Sequence, residues 1–133
     1  MKISNDIMVY IGTEKLRQYL LSMTHPVGKS KAKLLRSIGF NESNVNMLKK
    51  NLVELALKNE VVDKKVSVHG TKYVIDGNIQ SPDSIEITLR TVWIIDNDEN
   101  ILRFITAYPL WRGVEMIQEL EFVALVHDIE KYG

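Results

Sequence analysis

Eight residues, His25-Pro26-Val27-Gly28-Lys29-Ser30-Lys31-Ala32, hold an imidazole, a rigid proline, a permissive glycine and two ammonium groups. Imidazole titrates near neutral pH, so His25 suits a general base or acid. Lys31 stands where a helix is expected to open, and backbone N–H groups there would add to its hold on a phosphate. Further on, Arg90-Thr91-Val92-Trp93 and Thr106-Ala107-Tyr108-Pro109 close an antiparallel sheet. Arg90 or Arg103 would clamp a phosphate, Thr91, Thr106 and Tyr108 would supply hydrogen bonds, and Trp93 would stack on a base. A metal-independent ribonuclease needs a base for the 2′-hydroxyl, an acid for the leaving 5′-oxygen and cations for the charged phosphorane. On that chemistry His25, Lys31, Arg90, Thr106 and Tyr108 are the catalytic candidates, and Lys29, Thr91, Trp93 and Arg103 the substrate contacts. The same residues admit a plainer reading: His25 caps a loop, Trp93 and Tyr108 fill the core, and the threonines are ordinary strand residues. Trp93 shares its strand face with Ile85, Ile87 and Leu89, which favours packing.

Other chemistries find little support. The three histidines, His25, His69 and His127, are scattered, carboxylates do not cluster, and cysteine is absent, so no metal site is expected. There is no phosphate-binding glycine loop, nucleophile elbow or paired-carboxylate pattern, and no cofactor is called for. Seventeen basic and seventeen acidic residues balance overall but not locally. From His25 to Lys72 ten Lys and Arg face four acids; from Leu110 to Gly133 two bases face five acids. A basic middle favours phosphate-rich ligands, although a solvated lysine-rich helix face has the same composition. The lack of cysteine fits a reducing cytosol. No apolar run approaches the roughly 20 residues that span a bilayer, and Met1–Asp6 lacks a signal-peptide pattern. A cytoplasmic location without membrane attachment is therefore expected.

The elements that must position these groups follow from hydrophobic period. Ile7–Ile11 reads as a short strand or packed segment ended by Gly12. Thr13 is placed to cap a short helix over 14–22, with Leu16, Tyr19 and Leu20 on one face. After a loop over Thr24–Gly28, Ser30 is the next cap candidate, and Leu34, Leu35 and Ile38 line the helix that Gly39 ends. Lys31 and Lys33 in its first turn oppose the helix dipole, a hint that Lys31 is kept for another reason. Asn41 or Ser43 starts a longer helix with Val45, Leu48, Leu52, Leu55 and Ala56 on one face. Beyond Asn59 the period becomes two: Val66 and Val68 alternate, Gly70-Thr71 turns the chain into Tyr73–Ile75, and Gly77 and Ser81-Pro82-Asp83 punctuate. A long strand follows, with Ile85, Ile87, Leu89, Thr91, Trp93 and Ile95 on one face. The returning strand puts Leu102, Phe104, Thr106 and Tyr108 together, opposite Ile101, Arg103, Ile105 and Ala107. The sum is an α+β domain over residues 1–109, with two or three N-terminal helices packed on a four-stranded antiparallel sheet.

Read as a string, Lys15-Leu16…Tyr19-Leu20-Leu21, His25-Pro26…Gly28…Ser30-Lys31-Ala32, Gly39-Phe40, Gly70-Thr71-Lys72-Tyr73, Thr91-Val92-Trp93-Ile94-Ile95 and Arg103…Thr106-Ala107-Tyr108 resembles a bacterial domain-of-unknown-function family over residues 10–109. Its members carry H-P-x-G-x-S-K-A, then V-x-T-x-W-I-I, then P-R-x-x-T-A-Y; here Leu102 stands in place of the proline. The layout is similar to the RNase-type fold of barnase, the EndoU nucleases, colicin tRNases and RelE, which often forms the C-terminal domains of bacterial polymorphic toxins. That step is analogy between folds. Residues 110–133 form a tail, in which Ile117-Gln118-Glu119-Leu120-Glu121-Phe122-Val123-Ala124-Leu125…Asp128-Ile129…Gly133 resembles the opening strand and turn of a small SH3-like barrel family. Glu121 replaces the usual aspartate, and the chain stops where that barrel would continue, as in a shortened fusion or a reused tail. A lone strand there needs a partner, so a homodimer through the tail is one expectation; a short C-terminal helix is the other. These readings imply RNA as substrate and an immunity or antitoxin protein as partner. The rival is a non-catalytic module of the antitoxin or immunity type, binding a protein or nucleic acid through the same surface.

Overall fold

A computed structural model describes residues 1–22 and 29–110, with the side chains of residues 19, 20, 29 and 30 left aside. The order of elements is β1 (Met8–Tyr10), α1 (Thr13–Lys15, continuing as a π-helical turn, Leu16–Leu20), α2 (Lys29–Ser37), a 3-10 turn (Glu42–Asn44), α3 (Val45–Lys58), β2 (Val61–Val66), β3 (Gly70–Gln80), β4 (Glu86–Asp96) and β5 (Ile101–Pro109). The strands form one mixed sheet in the order β1-β5-β4-β3-β2. The expected four strands become five, because the Met8–Tyr10 segment pairs parallel to β5, Met8 opposite Ile101 and Tyr10 opposite Arg103. Parallel partners so far apart in sequence leave no hairpin signal between them.

The helices start and stop for local reasons. Thr13 is the first helical residue of α1 and not its cap; Gly12 holds the N-cap position with no side-chain bond. α2 begins at Lys29, so Ser30 lies inside it. Its end is closed by Gly39 N–H to the Arg36 carbonyl and Phe40 N–H to the Leu35 carbonyl, a Schellman-type closure that the positive φ of Gly39, 107°, permits. Asn41 and Asn44 cap each other reciprocally before α3: the Asn41 carboxamide accepts from Ser43 N–H, and Asn44 Oδ1 accepts from Asn41 N–H, both at 2.8 Å. Val45, Leu48, Leu52, Leu55 and Ala56 of α3 are buried at helical spacing.

The core lies between the helices and one sheet face. Leu16, Leu21, Leu35, Phe40, Leu48 and Leu52 meet Ile75, Leu89, Trp93, Leu102, Phe104 and Ala107 there. A smaller cluster, Val92, Ile94, Ile105 and Tyr108, lies on the other face of the sheet. The strict alternation expected of the last strand fails at a register shift between Val92 and Trp93, where Val92 faces Thr106 but Trp93 faces Phe104. The extra residue, Ile105, moves Ala107 to the helix side and Tyr108 to the other. Two further corrections concern turns. Strand β3 begins at Gly70 itself, and Ser67 closes the preceding turn by donating its N–H and hydroxyl to the Gly70 carbonyl. Ile85 precedes β4 and is 44% exposed, its N–H bound to the Ser81 hydroxyl.

Gly77 does not break β3, which continues to Gln80. A methyl group built at Gly77 would lie 2.5 Å from Asn59 Nδ2 and 2.8 Å from Leu55 Cγ, so the missing side chain is what lets α3 approach the sheet. Gly77→Ala is expected to cost about 1–3 kcal/mol by overpacking, measured by urea unfolding; an unchanged midpoint would mean that α3 yields without strain.

Candidate functional site

Lys31 is 8% exposed although it belongs to the first turn of α2. Buried Ala32, Leu35 and Ile38 fix that helix in the core. The Lys31 ammonium donates to Thr106 Oγ1 at 2.8 Å, a contact between residues 75 positions apart in a buried setting. An ammonium loses much hydration energy on burial, so a fold that needed only packing would place an apolar residue there. Lys31 and Tyr108 also line one crevice, with a free volume of about 10 Å³, room for a single water at most.

Arg90 sits in a cross-strand row. Asp76 on β3 pairs with it on one side and Tyr108 on β5 on the other. Arg90 Nε and Nη2 donate to the two Asp76 carboxylate oxygens at 2.8 and 2.9 Å, a bidentate fork that fixes the guanidinium plane. Hydrogen bonding by Asp76 raises the Arg90 pKa above the ordinary arginine range; Asp76 and Tyr108 charge add to this and partial burial opposes it. Arg90 is thus a permanent cation held rigidly beside the Tyr108 ring. Asp76 was not among the sequence candidates. Its signal was the hairpin: counting back from the Ser81–Ser84 turn sets residue 76 against residue 90.

Thr91 and Trp93 are fully buried. Trp93 Nε1 donates to Thr91 Oγ1, and Thr91 Oγ1 donates to the Ile75 carbonyl, both at 2.7 Å. The indole meets Phe104 edge to face with centroids 5.2 Å apart. The structure therefore places this pair inside the core, where the indole serves packing. Arg103 lies elsewhere again: it forms an ion pair with Asp96 at 3.2 Å. Beside it stands Lys15, whose ammonium reaches the Phe104 carbonyl at 3.3 Å, just past the last β1–β5 pair. Burial, and secondarily the Arg103 charge, lowers the Lys15 pKa. Lys15 was missed because nothing in a helix period marks a lysine that reaches a strand carbonyl. His25 lies outside the described residues, as do the Lys29 side chain, His127 and the tail beyond Leu110, with its barrel resemblance and dimer expectation. Of the nine candidates, then, Lys31, Thr106, Tyr108 and Arg90 gather along β5 and its neighbour β4, Thr91 and Trp93 go to the core, and Arg103 joins Lys15.

Among the described residues no three His, Asp or Glu side chains gather in a way that could hold a metal, and no helix is long and apolar enough to cross a membrane.

Comparison places this layout. Over residues 2–111 the sequence matches the model of a family described as a domain of unknown function, DUF6883. The chain belongs to that family. The DUF6883 match takes in every strand and helix described above and ends just past β5. No curated protein matches the chain significantly. Among solved structures, a chain of a contact-dependent growth inhibition toxin–immunity protein complex from Klebsiella pneumoniae 342 is similar, with a TM-score of 0.61 at 19% identity. The alignment covers 77% of this chain and 98% of that one. At that identity the likeness is one of fold.

Proposed function

We propose that the domain is a toxin-type ribonuclease that cleaves RNA without a metal. The observation that carries this reading is the Lys31–Thr106 contact, a buried cation held by a hydroxyl beside the Tyr108 and Arg90 row. The fold shared with a chain of a toxin–immunity protein complex supports it. In this reading His25 removes the 2′-hydroxyl proton, the 2′-oxygen bonds to phosphorus, and the bond from phosphorus to the 5′-oxygen breaks. The products are a 2′,3′-cyclic phosphate and a 5′-hydroxyl. Tyr108, set beside Arg90 across the sheet, supplies the proton that the departing 5′-oxygen takes. Lys31, held by Thr106, acts on the phosphorane through its charge from the wall of the site, and Arg90 stabilises the second negative charge.

The test is cleavage of RNA by the purified chain in EDTA, beside His25→Ala. Cleavage to cyclic phosphate ends is expected, reduced about 10²–10⁴-fold in the variant by loss of acid–base catalysis. Intact RNA with the wild-type chain would sink the nuclease. It would leave the second reading, a non-catalytic module of the immunity type. One observation favours that alternative: β2 lies at the edge of the sheet and exposes Val62 and Val66, an apolar edge of the kind that takes up a strand from a partner.

A further inference from the structure

The far end of the same sheet carries a feature that the proposed reaction does not use. Lys65 on β2 stands opposite Lys72 on β3, Lys72 opposite Ile94 on β4, and Ile94 opposite Arg103 on β5. Like charges set directly across a sheet are unfavourable, yet two lysines are paired so here. Lys15 reaches the same place from α1, and His69 from the turn between β2 and β3. The five basic side chains line a pocket of about 370 Å³ floored by Ile94 and Ile105, and among its described lining residues Asp96 is the only carboxylate. Lys72 is buried to 7% exposure within this wall. The sites are distinct: Ile94 lies four residue steps along β4 from Arg90, about 13 Å.

We propose that this pocket binds a phosphate group. Four long basic side chains, Lys15, Lys65, Lys72 and Arg103, converge from four elements on one concavity, which suits a compact polyanion approached from several sides. Arg103 supplies a planar fork and the lysines supply point charges. A carboxylate of a protein partner would neutralise one charge and leave the rest facing each other. The size is that of a small-ligand site, large enough for a nucleotide. The partners that Lys65 and Lys72 already hold would be exchanged for phosphate oxygens on binding.

Backbone amide spectra of the full chain, titrated separately with inorganic phosphate, adenosine 5′-monophosphate and a fully 2′-O-methylated RNA oligomer, test this. None of these probes can undergo 2′-hydroxyl attack, so the outcome is the same whether or not the domain cuts RNA. Saturable shifts at His69, Lys72 and Arg103 are expected. Lys15→Met and Lys72→Met, which keep the buried stems, should each weaken binding about tenfold, the scale of one charge-assisted contact; the exposed Lys65→Gln gives a third variant that leaves the interior untouched. Oligomer binding well above inorganic phosphate would assign the site to a nucleic-acid strand, and equal binding to free phosphate or a nucleotide. Absence of saturable shifts, or affinities unchanged in all three variants, would overturn the proposal. So would a polyglutamate peptide that binds the pocket while phosphate does not, since that result describes a surface for an acidic protein.

Discussion

Trp93→Ala is expected to lower the unfolding free energy by roughly 3–5 kcal/mol, the range for removing a large aromatic from a packed core. Trp93 has no exposed surface, stacks edge to face on Phe104 and anchors a relay through the Thr91 hydroxyl to the Ile75 carbonyl. Three strands are joined by those contacts, so the cavity left by alanine cannot close by shifting one side chain. Trp93→Phe keeps much of the volume and loses only the indole N–H, and about 1–2 kcal/mol is expected, near the value of one hydrogen bond plus a partial void. Urea unfolding followed by far-ultraviolet circular dichroism checks both. The opposite pattern, a stable Trp93→Ala protein with weakened RNA binding, would return the indole to the role of a base-stacking platform.

Lys31→Met should reduce RNA cleavage by about 10²–10³-fold, the usual effect of removing one donor from a site of developing charge, while the chain stays folded. Methionine matches the length of the lysine stem, and replacing a buried cation by an apolar residue of similar volume is often neutral for stability. The Thr106 hydroxyl loses its 2.8 Å partner, which costs about 1 kcal/mol. Methionine is therefore a sharper probe than alanine, which would add a cavity beside Leu35 and Leu48 in the same crevice. Cleavage rates measured at protein concentrations where both chains are fully folded give the result. A folded Lys31→Met protein that cuts RNA at the wild-type rate would reduce the Lys31–Thr106 contact to a structural one and place the cleavage site elsewhere on the chain.

Much of the architecture is written locally. The 3.6-residue period of Val45, Leu48, Leu52 and Leu55 determined α3, the Asn41 cap the 3-10 turn that leads into it, and the change to a period of two after Asn59 announced the sheet. Gly39 marked the end of α2 through its positive φ. These features depend on side chains within one or two turns of each other, so a linear reading reaches them. The candidate residues were likewise legible as types: an ammonium beside a helix start, a guanidinium in a strand, a hydroxyl and a phenol two residues apart.

What the tertiary structure alone decided is which of those groups meet. The bulge opposite Val92 and Trp93 exchanged the faces of Ala107 and Tyr108, and a one-residue slip inverts every later side chain. Arg90 acquired its carboxylate from β3, Lys31 its hydroxyl from β5, and Lys15 its carbonyl from the strand that β1 stops flanking. The parallel β1–β5 pairing and the convergence of Lys15, Lys65, Lys72 and Arg103 are juxtapositions of this kind. Each depends on strand register and on how far a long side chain reaches across the sheet, and neither quantity is encoded in the spacing of residues along the chain.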